Sequence, residues 1–222
     1  ALDEEKNSLV FDQDALKAKE ASLEEKNKEL QTVLAGKLQL LQSQQAILDS
    51  LSDEKDKYEE RLNLLEQSWS EVKLLLSDMS QELSRVIYES NISINDFNLS
   101  LGLFSVKGSI SDDLINEIVK NDTKTPELIF TFTSQGIQLY MPDYQLLLNG
   151  SMTIDSYSGC AFRYVVEEGT FYNFDLEKYA IQDLFKEGYL LIDFSKIVGD
   201  DITIKSVILN DGFVEFTANP FF

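Results

Sequence analysis

Residues 48–86, LDSLSDEKDKYEERLNLLEQSWSEVKLLLSDMSQELSRV, carry the most regular pattern in the chain. Their apolar side chains recur at alternating spacings of three and four residues. The series includes Leu62, Leu65, Trp69, Val72 and Leu76. Such spacing places the side chains on one stripe of an α-helix, at the a and d positions of a coiled coil. The stretch therefore predicts a helix that buries this stripe against another helix.

The same register continues back to the start of the chain. Leu2, Leu9, Leu16, Leu23 and Leu30 occupy successive d positions. The a positions beside them are polar, which predicts a weaker seam in this part. No Pro precedes Pro126, and Gly36 is the only Gly before residue 90. We therefore predict a coiled-coil rod over residues 1–90.

The predicted oligomer interface consists of the apolar a and d residues from the second third of the rod onward. These are Leu34, Leu41, Leu48, Leu51, Tyr58, Leu62, Leu65, Trp69, Val72, Leu76, Met79, Leu83 and Val86. A helical hairpin with a turn at 35–36 or 50–53 is the alternative, but a turn normally shifts the phase of the pattern. The unbroken phase favours a parallel coiled-coil dimer of this chain, with a trimer as the second choice.

Residues 91–222 show the period of β-strands rather than that of a long helix. Alternating or apolar runs predict strands at 99–103, 127–133, 137–141, 144–148, 160–167, 170–174, 189–194, 202–209 and 213–217. Ser111 is a predicted N-cap for a helix that ends before Asn121. Asp175 is a predicted N-cap for a second amphipathic helix that stops at Gly188. The fold class is therefore α+β: a long N-terminal coiled-coil helix followed by an antiparallel β-rich domain with two amphipathic helices.

Two Gly-containing turns are predicted to join neighbouring strands. Asn149-Gly150 is the strongest short hairpin signal in the chain, between strands at 144–148 and 151–157. Asn210-Asp211-Gly212 is predicted to join the last two strands.

The region from residue 91 to 219 resembles bacterial members of the tubular lipid-binding (TULIP) superfamily. The resemblance rests on SDDLINEIV (111–119) and on the closing hairpin ITIKSVILNDGFVEFTA (202–218). It implies a highly curved antiparallel sheet around a helix, often with a bound lipid chain. Strands that are apolar on both faces predict a sheet covered by a helix on one side and by a second sheet layer on the other. The alternative, which the resemblance supports, is a curled sheet that encloses an apolar, lipid-binding cavity. The residues expected to line that cavity are Phe130, Phe132, Leu139, Leu146, Leu184, Phe185 and Phe194.

The composition excludes several kinds of chemistry. The chain has no His and one Cys, Cys160, so Ser-His-Asp and Cys-His catalysis and His-containing zinc sites cannot form. No phosphate-binding loop or dinucleotide fingerprint is present. We therefore predict no enzyme activity, no catalytic or metal-binding residue and no cofactor. A formal net charge of −20 argues against nucleic acid as a partner.

These patterns together predict a non-enzymatic oligomeric scaffold, a coiled-coil stalk that displays a β-rich domain to an unknown protein partner. Lipid or apolar-ligand binding by a TULIP-like domain is one alternative, and a trimeric fibre or receptor-binding tip is another. No run of 18 apolar residues predicts a transmembrane segment. Because the sequence begins at Ala1 rather than Met, we expect a processed, secreted or cell-envelope protein, with the cytoplasm as the alternative.

Overall fold

The computed structural model describes residues 2–102, 105–122, 126–155, 159–199 and 202–219. It confirms the predicted α+β class, with a long N-terminal helix followed by antiparallel sheets and short helices. The chain divides into two compact units, Ala1–Leu64, here called the N-terminal unit, and Leu65–Phe222, here called the head. The head thus begins well before residue 90, where the sequence pattern predicts the boundary, because it includes the end of the long helix.

Two helices account for most of the first 90 residues. α1 spans Leu2–Ser77 and α2 spans Met79–Glu89. Good helix formers dominate both, and the single Gly36 costs about 1 kcal/mol relative to Ala without ending α1. The helices are separated at Asp78, whose backbone angles, φ −102° and ψ 2°, are not helical. The heptad spacing continues across this break, so α2 still presents an apolar face.

The strands follow α2, and each pairing between described strands is antiparallel. In the described residues they are β1 (Ser100–Leu101), β2 (Val106–Ser111), β3 (Ile129–Thr133), β4 (Gly136–Met141), β5 (Leu146–Ile154), β6 (Ala161–Phe171), β7 (Phe174–Asp175), β8 (Leu190–Asp193), β9 (Ile204–Asn210) and β10 (Phe213–Ala218). One sheet has the order β1-β2-β10-β9. The other has the order β3-β4-β5-β6-β7, and β8 pairs with β6.

The predicted turn at 210–212 is confirmed. Phe213 pairs with Asn210, and Gly212 has a positive φ of 82°, which glycine adopts at little cost. The predicted strand at 202–209 corresponds to β9, and the strand at 213–217 corresponds to β10.

The prediction of a hairpin turn at Asn149-Gly150 is wrong. Both residues lie inside the continuous strand β5, where the register with β6 shifts between them. Gly150 is needed at this bulge for another reason: a Cβ there would collide with the carbonyl oxygen of Val165 on β6. The prediction of separate strands at 160–167 and 170–174 is also wrong, since β6 runs without interruption from Ala161 to Phe171.

The helices of the head agree only in part with the prediction. α3 spans Asp112–Lys120, and the Ser111 hydroxyl accepts a hydrogen bond from the Leu114 amide, as expected of an N-cap. The second predicted helix is reduced to α4, Lys178–Gln182, because Asp175 belongs to β7 instead of capping a helix. A further short helix, α5, spans Ser195–Val198 and was not predicted.

Side chains of α3 satisfy the backbone of β3, which lies at the edge of its sheet. The Asn116 amide accepts a hydrogen bond from the Phe130 N–H at 2.7 Å and donates one to the Phe130 carbonyl at 2.8 Å. The Asp112 carboxylate accepts from the Phe132 N–H at 3.0 Å. These hydrogen bonds replace those that a neighbouring strand would make with β3, so the backbone groups of this edge are not free to pair with another strand.

The hydrophobic core of the head draws on α1, α2 and α3 and on both sheets. Tyr164 is fully buried in it, and its hydroxyl donates to the Leu148 carbonyl at 2.8 Å. Burial raises the pKa of Tyr164 well above its ordinary value, so this group remains a hydrogen-bond donor. Cys160 lies in the same core, and burial raises the pKa of its thiol to about 12.

Candidate functional site

The candidate site is the apolar stripe of α1 within the N-terminal unit, here called the exposed seam. It comprises the six predicted interface residues that lie before the head. They are Leu34, Leu41, Leu48, Leu51, Tyr58 and Leu62, and each is between 55% and 65% exposed. Contiguous apolar surface on a helix indicates an interaction face. The structure is therefore consistent with a coiled coil and suggests self-association.

The later part of the same heptad series lies in a different environment, and we call it the buried seam. It comprises Val72, Leu76, Met79, Leu83 and Val86, none more than 4% exposed. All five pack into the core of the head. Their assignment to an oligomer interface is therefore corrected: the head of the same chain covers them, so their side chains are not available to a partner helix.

Leu65 and Trp69 mark the transition between the two seams. Both are partly buried and pack against the core of the head. The Trp69 ring lies against Phe171 at the end of β6, with ring centroids 5.1 Å apart. Such a tilted contact is a favourable arrangement for two aromatic rings. Trp69 therefore packs within its own chain, and it too is removed from the predicted oligomer interface.

Sequence reasoning missed a second set of exposed apolar residues on α1, at positions that flank the seam. Val33, Leu40 and Ile47 occupy g positions, and Leu38 occupies an e position. All four are more than half exposed. They widen the apolar stripe beyond the a and d positions alone between residues 33 and 48. Reading the e and g positions for apolar residues, as well as a and d, would have found them.

The seven predicted cavity-lining residues all lie in the packed core of the head. Phe130, Phe132, Leu139, Leu146, Leu184, Phe185 and Phe194 are each at most 3% exposed. Phe194 contacts Phe97 and Phe162 through edge-on ring arrangements, with the nearer centroid at 5.3 Å. These side chains thus contact other core residues. Lipid binding stays a prediction, as does a fibre or receptor-binding tip.

A polar cleft of about 550 Å³ lies beside α2 in the head. Arg85 is at its edge and bonds Glu89 at 2.6 Å and Asp122 at 2.7 Å. Hydrogen bonds, first of all with Glu82, raise the pKa of Arg85 above its ordinary value. The network ties α2 to the segment that follows α3, so its ion pairs have a structural role in the head.

Two further features were sought in the parts of the chain that the structure describes: a metal-binding group and a membrane-spanning helix. Within those ranges, no three acidic, cysteine or histidine side chains come together in a group that could hold a metal ion. Likewise, no described helix is both long and apolar enough to cross a membrane. The exposed seam therefore remains the most distinctive surface of the described residues.

Comparison with other proteins adds no family assignment. The chain matches no protein-family model, no curated protein and no solved structure. The resemblance of the head to the TULIP superfamily accordingly stays a prediction.

Proposed function

We propose that the protein is a non-enzymatic interaction protein that self-associates through the exposed seam and thereby brings several copies of the head together. One observation carries the proposal. A single heptad series is exposed in the N-terminal unit and buried in the head, so only its first part is free to bind another chain.

The energetics of the N-terminal unit support this proposal. Every side chain that the structure describes from residue 2 to residue 64 is exposed, so this part of α1 buries no apolar face in the single chain. Helices gain most of their stability from packing an apolar face, and a helix without such packing is marginal in water. Burying a large apolar side chain is worth roughly 1.5–3 kcal/mol, and each copy would contribute six seam residues. Association of copies would therefore supply the packing that the N-terminal unit lacks.

The test compares two leucines that are two residues apart on α1. Leu62 occupies an a position and is 56% exposed, whereas Leu64 occupies a c position off the seam and is 59% exposed. We expect sedimentation equilibrium of the full chain to show an oligomer at micromolar concentration. Leu62→Asp should weaken association by about 100-fold or more, because it puts an unpaired charge into the seam.

Leu64→Asp is the matched control, since it adds the same charge at an equally exposed position but outside the seam. It should associate like the unmodified chain. Circular dichroism should show that the sheets of the head are retained in both variants. A monomeric unmodified chain, or equal losses of association in the two variants, would contradict the proposal.

A further inference from the structure

The charged residues at the a positions of the N-terminal unit follow a rule that bears on the partner, whereas the charged d residue Lys37 has no charged neighbour in sequence. Three a positions of the N-terminal unit carry a charge: Lys6, Glu20 and Lys55. Each directly follows a g residue of opposite charge, respectively Glu5, Lys19 and Glu54. All six residues are exposed in the single chain. A charge at an a position is costly in a coiled coil unless the facing helix supplies a counter-charge.

From this pattern we infer that the partner of the exposed seam is a second copy of this chain, aligned parallel and in register. The inference rests on the proposed function and adds the alignment of the two copies, which the charge pattern specifies. In a parallel, in-register pair, an a side chain enters a hole formed in part by the facing a residue and the g residue just before it. Lys55 of one copy therefore faces both Lys55 and Glu54 of the other, and the two symmetric Lys55–Glu54 contacts offset the repulsion between the lysines.

Other alignments lose this complementarity. A slip of one heptad would replace Glu54 beside Lys55 by the preceding or the following g residue, Ile47 or Arg61. Ile47 would remove the counter-charge, and Arg61 would add a like charge. In an antiparallel pair the facing helix runs in the opposite direction, so the g residue just before a facing a residue would not lie beside Lys55 and the adjacent g and a charges would not meet. Within one chain, Lys55 bonds Glu59 at 3.1 Å, and both side chains are exposed, so Lys55 can exchange this surface ion pair for the partner's Glu54.

The head limits how far this contact extends. Because Val72 and the rest of the buried seam already pack inside their own chain, the two copies share the seam only up to about Leu65. The charged a residues all lie within this shared part.

The experiment uses two charge variants of the full chain. Glu54→Lys makes positions 54 and 55 both positive, and Lys55→Glu makes both negative. Each variant alone should self-associate about tenfold more weakly than the unmodified chain, since every copy then faces like charges. A 1:1 mixture should recover the affinity, and differently tagged copies should be found mainly in mixed oligomers.

Lys57→Glu and Glu60→Lys are the matched controls, because they make the same charge changes at positions c and f, outside the seam. They should neither weaken self-association nor favour mixed oligomers. A second measurement tests the alignment directly: Leu51→Cys at a d position should form an interchain disulfide, whereas Leu64→Cys should not. Cys160 is fully buried and should not compete.

The outcomes separate the two proposals. If the charge variants associate but do not prefer each other, and Leu51→Cys does not cross-link, the parallel in-register alignment is overturned while self-association stands. If the unmodified chain is monomeric, the proposed function itself fails.

Discussion

The exposed seam and the buried seam share one heptad register but differ in what covers them. Leu48 and Leu62 in the exposed seam are more than half accessible, whereas Leu76 and Leu83 in the buried seam are completely inaccessible. All four occupy a positions. The head provides the apolar surface that covers the later residues, and the described chain provides none for the earlier ones. Helical periodicity thus indicates which face of a helix is buried, but not whether a second chain or the same chain buries it.

The largest expected effect comes from truncating the buried seam. Leu76→Ala should lower the free energy of unfolding of the head by about 2–5 kcal/mol, because it leaves a cavity in a packed core. Urea unfolding followed by Trp69 fluorescence measures this. Leu48→Ala, at the same heptad position of the exposed seam, should leave that transition unchanged. Similar losses in the two variants would show that the two seams do not differ as described.

The packing of the head against the buried seam can also be weakened without changing α1 or α2, by removing the side chain of α3 that holds β3. Asn116→Ala should lower the free energy of unfolding of the head by about 1–3 kcal/mol, because the N–H and the carbonyl of the buried Phe130 both lose their partner. Asn116→Asp keeps the acceptor for the Phe130 N–H but places a carboxylate oxygen against the Phe130 carbonyl, so it should also destabilise the head. Thermal melting of the head measures both, and self-association of the unheated protein should be unaffected. A change in association at low temperature would mean that the head contributes to the interface.

The stability of the head should fall slightly as the solution becomes alkaline. The pKa of Cys160 rises from 9.0 to about 12 on folding, so the unfolded chain releases its thiol proton at lower pH than the folded chain does. The stabilising contribution is therefore complete below pH 9 and is lost as the pH rises towards 12. Between pH 9 and 10 the loss is at most about 1.4 kcal/mol. Urea unfolding at both pH values should show a smaller decrease for Cys160→Ala than for the unmodified chain.

The smallest effect is expected at Leu74, which lies on α1 beside the buried seam but faces away from the core. It is 71% exposed, two residues from the inaccessible Leu76. Leu74→Ala should change the free energy of unfolding by no more than about 0.5 kcal/mol in the same urea experiment. A loss close to that of Leu76→Ala would show that the assignment of faces in this part of α1 is wrong.

Several features of the fold followed from local sequence signals alone. Alternating spacings of three and four residues predicted the long helix and the residues on its apolar face. Ser111 before an acidic first turn predicted the start of α3, and Asp211-Gly212 predicted the last hairpin, because each signal acts within a few residues. These predictions needed no knowledge of what lies opposite in the fold.

Local signals failed where a residue has its role through a distant partner. Asn149-Gly150 has the composition of a hairpin turn, yet the close approach of β6 explains the glycine. Asp175 has the composition of a helix cap, yet it pairs with Thr170 in a short strand. In both places, the pairing of strands outweighed the local preference.

The sequence by itself determined the helical stripe, its register and the charges within it. Only the tertiary structure decided where the stripe changes from exposed to buried, at Leu65 and Trp69. The physical reason is that a heptad pattern records only the apolarity of one face. Phe171, which contacts Trp69, is about a hundred residues away in sequence, so the cover over the buried seam arises only when β6 pairs with its neighbours and brings that ring to the helix.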